Sequence, residues 1–262
     1  MPDPQFSSNL RQVHQGIVEA FFILQSWDVL SHSGSITPAV EEKFRKAIRS
    51  GPLLPSKGRL QGMEESGRDV AFELQVAADI ANDTQAAVRF GDETKGGVDL
   101  YYGQKGEGVE CKRPRKLSTV AKNVKEAARQ IRKDPKCKMG YVALETSFLQ
   151  NPKDDFIPSE SKDPFAHDAR LAGFMSDTMA VEIAKELCNL SESYLKHVAR
   201  LVTYYCMPML LGGRLGFQAA HTVIHRGATG EFIIGVDDGL MVCDKVPSRV
   251  KVVRRSQLRR IG

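Results

Sequence analysis

A chain of 262 residues, 42% hydrophobic and 26% charged, can bury the core of one large domain or two modest ones. That balance excludes a mostly disordered chain. The net charge of +5 is mildly basic, so where the cations cluster decides what they mean.

The first predicted element is a helix over 8–30, ended by the turn-forming SHSGS. A second helix spans 38–49, with Pro38 at its start and Glu41 and Glu42 in its first turn. GPLLPSKG interrupts it, and a third helix follows over 63–82. The period then changes from helical to alternating, which predicts strands over 86–90, 97–102 and 108–112. Ser118 is placed to cap a helix whose apolar stripe is Val120, Val124, Ala127 and Ile131. Asp134-Pro135 stops that helix, and MGYVALETS is a fourth strand. The order is helix, three strands, helix, strand.

Beyond it lies NPKDDFIPSESKDPF, a polar loop fit for a linker or a lid. A helix is expected over 177–200, with Met179, Ile183, Leu187, Leu190, Tyr194 and Val198 on one face. LVTYYCMPMLL, FQAAHTVIHR and EFIIGV read as strands, and the end, KVPSRVKVVRRSQLRRIG, carries seven Lys or Arg and no acid. His221 and His225 fall in FQAAHTVIHR, where strand geometry sets them about 13 Å apart, too far for one zinc ion. Five scattered cysteines with no CxxC favour reduced thiols over a disulfide framework. The amino terminus lacks a signal-peptide pattern and no apolar run is long enough to span a bilayer, so the expectation is a cytoplasmic protein without a membrane.

The stretch GGVDLYYGQKGEGVECKRP concentrates the chemistry. Alternation in VECK turns Glu110 and Lys112 to one face and Val109 and Cys111 to the other. A hairpin turning at Lys105-Gly106 sets Asp99 opposite Lys112, on the face of Glu110. On the 63–82 helix, Glu73 has Val70, Val76, Ala77 and Ile80 as helical neighbours, an apolar setting that makes an unpaired carboxylate expensive. Three acids suit a hard cation such as Mg²⁺, and a lysine beside it suits charge developing on a phosphate. Arg113, Arg115 and Lys116 follow directly, able to hold a phosphodiester backbone; Arg254, Arg255, Arg259 and Arg260 offer the same at the carboxyl end. No GxxxxGK[ST] loop and no GxSxG is present, which disfavours an ATP-driven motor or a serine hydrolase.

Asp99 with Glu110-Cys111-Lys112, between a helix bearing Glu73 and one bearing Gln130, resembles the PD-(D/E)XK nuclease superfamily, most of all its Holliday-junction-resolvase and restriction endonuclease-like branches. Val98 stands where that motif has proline. The resemblance implies an α/β fold: a restriction endonuclease-like αβββαβ core over 61–149, a helical segment over 1–60 packed on it, and an α/β extension over 150–262. It implies that Asp99, Glu110 and the Cys111 carbonyl ligate Mg²⁺ (Mn²⁺ substituting), that Glu73 supports the metal, and that Lys112 positions or activates water. Gln130 resembles the glutamine that several branches place beside the lysine. The function so implied is metal-dependent hydrolysis of DNA phosphodiesters in restriction, phage defence or repair, with RNA left open. A homodimer would suit double-strand cutting, and a defence or repair system could add a partner subunit. The alternative is a catalytically inactive nucleic-acid-binding or scaffold module on the same fold.

Overall fold

The computed structural model describes residues 4–49, 61–92, 97–103, 106–150, 157–159, 164–211, 214–236 and 246–258. The chain forms two compact units, Met1–Glu107 and Gly108–Gly262, divided inside the 61–149 stretch.

The first unit is mainly helical: α1 (Pro4–His32), α2 (Pro38–Arg49) and α3 (Gln61–Thr84), followed by the short strands β1 (Arg89–Phe90) and β2 (Leu100–Tyr102). In α2 the residues Val40, Phe44 and Ala47 recur at helical spacing and are buried, which gives this charged helix one apolar face. Trp27 of α1 meets Phe44 edge-on, ring centroids 5.0 Å apart. On α3, Val70, Leu74, Val76, Ala77 and Ile80 are buried, and the helix packs on both α1 and α2. The predicted strand over 86–90 shrinks to two residues because Gln85 leaves α3 in a left-handed conformation, φ 53°, and the chain is extended only after it. β1 and β2 run antiparallel, Arg89 opposite Tyr101 and Phe90 opposite Leu100, and the Gly91 N–H continues the pairing to the Asp99 carbonyl at 2.7 Å.

The second unit is a mixed α/β layer. Its strands are β3 (Glu107–Lys112, whose first residue closes the other unit), β4 (Met139–Glu145), β5 (Ile157–Ser159), β6 (Val198–Leu211), β7 (Arg214–Arg226), β8 (Phe232–Val236) and β9 (Val250–Arg254). They lie in the order β3-β4-β6-β7-β8-β9. β6 runs parallel to β4 and antiparallel to β7, and β9 is parallel to β8. β5 continues the line of β4 along β6, so the expected linker or lid contains a strand. Five consecutive buried residues, Gly140 to Leu144, mark β4 as covered on both faces.

The helices are α4 (Val120–Lys133), α5 (Ser147–Gln150), α6 (Pro164–Leu187), α7 (Glu192–Leu195) and α8 (Arg255–Leu258). The stripe of α4 is buried as its spacing predicts, but its cap differs. A 3-10 turn, Leu117–Thr119, precedes the helix, so Thr119 rather than Ser118 stands at its start, and the Asn123 side chain bonds back to the Thr119 carbonyl. The helix expected over 177–200 is α6, shifted toward the amino end. Its apolar face continues in pattern to Val198, but Asn189 and Ser191 break the helix; the Ser191 hydroxyl caps α7, and Val198 opens β6. Buried Ala180, Ile183, Ala184 and Leu187 seat α6 on β6, β7 and β8.

One acid is enclosed in this packing. Asp177 of α6 has a fully buried side chain and accepts from the Thr222 hydroxyl at 2.6 Å and from the Arg255 guanidinium at 2.7 and 2.8 Å. The described part of the basic carboxyl end is thus a strand and a helical turn. Leu258 fills the space a side chain would need at Gly235 of β8. No helix among the described residues is long and apolar enough to cross a membrane.

At Gly140 the β3 and β4 backbones come so close that an added Cβ would lie 2.5 Å from the Gly108 carbonyl oxygen. Gly140→Val should therefore destabilise the fold by about 1–3 kcal/mol, read as a lower denaturation midpoint with unchanged slope. An unaltered midpoint would show that the two strands part at no cost.

Candidate functional site

β3 is built to be enclosed, and the acid at its centre goes in with it. Gly108, Val109 and Glu110 are all buried, whereas Cys111 and Lys112 are half-buried. The Glu110 side chain has no exposed surface, and the Lys112 ammonium donates to its Oε2 at 2.7 Å. Residues two apart on a strand share a face, so the pair needs no contribution from another element. A carboxylate taken out of water costs several kcal/mol before any partner is counted, and a short charge-assisted hydrogen bond offsets part of that.

Next along the chain, Arg113 is also largely covered, 12% exposed, with its Nε 3.4 Å from Glu145 at the end of β4. The other Glu145 oxygen accepts the Ser147 N–H at 2.7 Å, which fixes the carboxylate against the start of α5. Arg115 is half-buried and Lys116 exposed. Gln130 is half-buried on α4, and its carbonyl accepts the Asp134 N–H that closes the helix.

In the first unit, Asp99 is half-buried between Val98 and Leu100, which are buried, as their alternation predicts. Glu73 lies on α3 among the buried neighbours foreseen for it. Its carboxylate accepts from Lys43 of α2 at 2.8 Å, both side chains being about seven-eighths covered at 14% and 13% exposed. Sequence reasoning missed Lys43: thirty residues separate it from Glu73, and only the helix packing joins them. Of the expected Lys105-Gly106 turn, Gly106 has a left-handed φ of 69°, while Lys105 lies outside the described residues, as do Arg259 and Arg260. Arg254 is exposed at the end of β9, and Arg255 is committed to Asp177.

The structure therefore brings together Glu110 with Lys112, Arg113 with Glu145, and Glu73 with Lys43. Among the described residues no group of three or more His, Cys, Asp or Glu side chains is arranged to hold a metal ion. His221 and His225 lie on β7 opposite Tyr204 and Arg200 of β6, the strand placement expected of them. No protein-family model, curated protein or solved structure matches the chain.

A further acid on α3 escaped the sequence reading. Burial, reinforced by Asp83 one turn on, raises the Asp79 carboxyl from the ordinary 3.8 to about 7. The available signal was two aspartates four residues apart with Ala78 and Ile80 flanking the first. Because the folded value is the higher one, folding favours the protonated acid. That contribution is complete below about pH 4 and is lost as pH rises through about 7. Asp79→Asn should match wild-type stability near pH 4 and exceed it at pH 8 by on the order of 3 kcal/mol, measured by denaturant titration at both values. Equal stabilities at pH 8 would show the carboxylate to be solvated.

Proposed function

We propose that this chain is a metal-dependent nuclease that hydrolyses DNA phosphodiester bonds, on the restriction endonuclease-like αβββαβ core that its sequence resembles. One observation carries the reading: Glu110, a carboxylate with no exposed surface in the middle of a strand, holding the Lys112 ammonium at 2.7 Å. As a device for stability alone such a pair is poor, since well-packed apolar residues in its place are often neutral or better. An enclosed acid beside a lysine has a use in phosphoryl chemistry.

The donor set fits magnesium, which is bound through one or two carboxylates and completes its shell with water and substrate phosphate. Glu110 supplies one carboxylate; Asp99, the Cys111 carbonyl and Glu73 are the others the resemblance implies. When bound, the ion would lower the pKa of a water and offset charge on the phosphate, and Mn²⁺ would substitute. Lys112, charged and without a lone pair, is no ligand. Its N–H donors suit a phosphate oxygen or the attacking water. Arg115 and Lys116 extend positive charge along the chain just beyond it, in reach of a backbone held for cleavage. With reduced cysteines the setting is the cytoplasm, and restriction, phage defence or repair is the context such a reaction serves.

A second reading has its own observation. Glu110 and Glu73 each already face a lysine, Lys112 and Lys43, as expected of a catalytically silent nucleic-acid-binding module that needs no ion.

Single-turnover cleavage of plasmid, linear duplex, branched DNA and RNA with Mg²⁺, Mn²⁺ or EDTA separates the two. The nuclease reading expects cleavage only with metal, at least about a hundredfold lost in Glu110→Gln and in Lys112→Ala. Binding in EDTA should survive in Lys112→Ala. Wild-type protein that binds DNA equally in EDTA and Mg²⁺ and cuts none of these substrates would establish the silent module instead.

A further inference from the structure

The strongest concentration of charge lies away from Glu110. Residues 115–138 hold nine Lys or Arg against two acids, a larger excess than the +5 of the whole chain. α4 carries four of these cations on the face opposite its buried stripe: Lys122, Lys125, Arg129 and Arg132. They line a cavity of about 220 Å³ whose far wall is Tyr194 of α7. Lys125 holds its ammonium 4.1 Å from the centre of the Tyr194 ring, a contact that fixes a lysine otherwise free to swing.

Little within the protein answers these charges. Glu126 is the one acid in the lining, and it lies 3.8 Å from Arg129 with both side chains about half exposed, a pairing worth little. Lys122 and Arg132 take part in none of the ion pairs among the described residues. The helix dipole accounts for Arg132, in the last turn. It opposes Lys122, in the first turn, where a cation is unfavourable and that turn holds no acid to offset it. A ligand anion would offset that cost by giving Lys122 a negative partner at the helix start.

Size narrows the ligand. At about 220 Å³ the cavity is smaller than the pockets that enclose a whole drug-sized molecule. It suits part of a longer anion lying along the helix. From Lys122 to Arg132 is about 15 Å of helix, enough to follow several phosphates of one strand. We propose that the groove between α4 and α7 binds the phosphodiester backbone of DNA, held by Lys122, Lys125, Arg129 and Arg132 with Tyr194 positioning Lys125. This deepens the nuclease reading and rests on its choice of DNA, but it uses no residue of the Glu110 site.

The test is fluorescence anisotropy in EDTA, from 50 to 200 mM salt, on one labelled sequence as a single strand and as a duplex. The groove variant is Lys122→Ala with Arg132→Ala. The charge-matched control is Arg49→Ala with Arg89→Ala, both exposed and in the first unit. The groove variant should lower the log–log salt slope by about 1.4 on the single strand or about 1.8 on the duplex, and the tighter-binding form identifies the substrate geometry. The control should leave the slope unchanged, and Lys122→Arg with Arg132→Lys should restore it. All are exposed positions where folding should change by no more than about 0.5 kcal/mol.

An unchanged slope in the groove variant, an equal drop in the control, or no binding by the wild type would each overturn the proposal. Cleavage assays on the same proteins keep the two ideas apart. Wild type that binds through the groove without cutting removes the nuclease and leaves the site. Wild type that cuts, with a groove variant of unaltered slope, removes the site and leaves the nuclease.

Discussion

A carboxylate with no access to water must find its cation inside the protein, and Glu110 finds it two residues away on its own strand. Much of the second unit is arranged around that enclosure. β3 can be covered only if β4 lies close, and Gly140, with no side chain to hold the backbones apart, lets it. β4 in turn is apolar along its whole middle because α4 packs on it and β6 pairs with it. Had the acid been matched by a residue from a distant loop, its protection would depend on that loop's stability. A partner on the same strand makes the pair as durable as the strand itself.

The other enclosed acids follow the opposite design. Glu73 meets Lys43 from α2, Glu145 meets Arg113 from the end of β3, and Asp177 meets Arg255 from beyond β9. In each case the cation comes from another element, so each pairing records how two elements dock. Such contacts specify arrangement more than they stabilise it, since a charge pair returns little of what its desolvation takes.

This difference decides how far the sequence could be read. Periodicities of 2 and 3.6 are local, and they place α2, α3, α4, β3 and β4 within a few residues of where they fold. The Glu110–Lys112 contact was legible for the same reason, being a consequence of alternation alone. Lys43, Glu145 and the Arg255–Asp177 bond were not, because thirty or more residues and a packing event separate the partners. The misplacement of α6 has a related cause: its apolar spacing runs unbroken into β6, and only the capping chemistry of Ser191 marks where the helix gives way. β5 and β9 are short strands in polar or charged stretches, held by their neighbours rather than by their own pattern.

The carboxyl end deserves to be thought of as a seam. β9 lies along β8 and so covers the hydrogen-bonding edge of a strand whose five residues are all buried. Removing the chain from Pro247 onward would strip many arginines, but it would also uncover a flat apolar β-edge, a template for pairing with other copies. It would leave Asp177 in the interior without its guanidinium. Self-association of such a shortened chain would reflect the opened edge and says nothing about nucleic acid. The arginines of this segment can be probed cleanly only one side chain at a time, with the strand left in place.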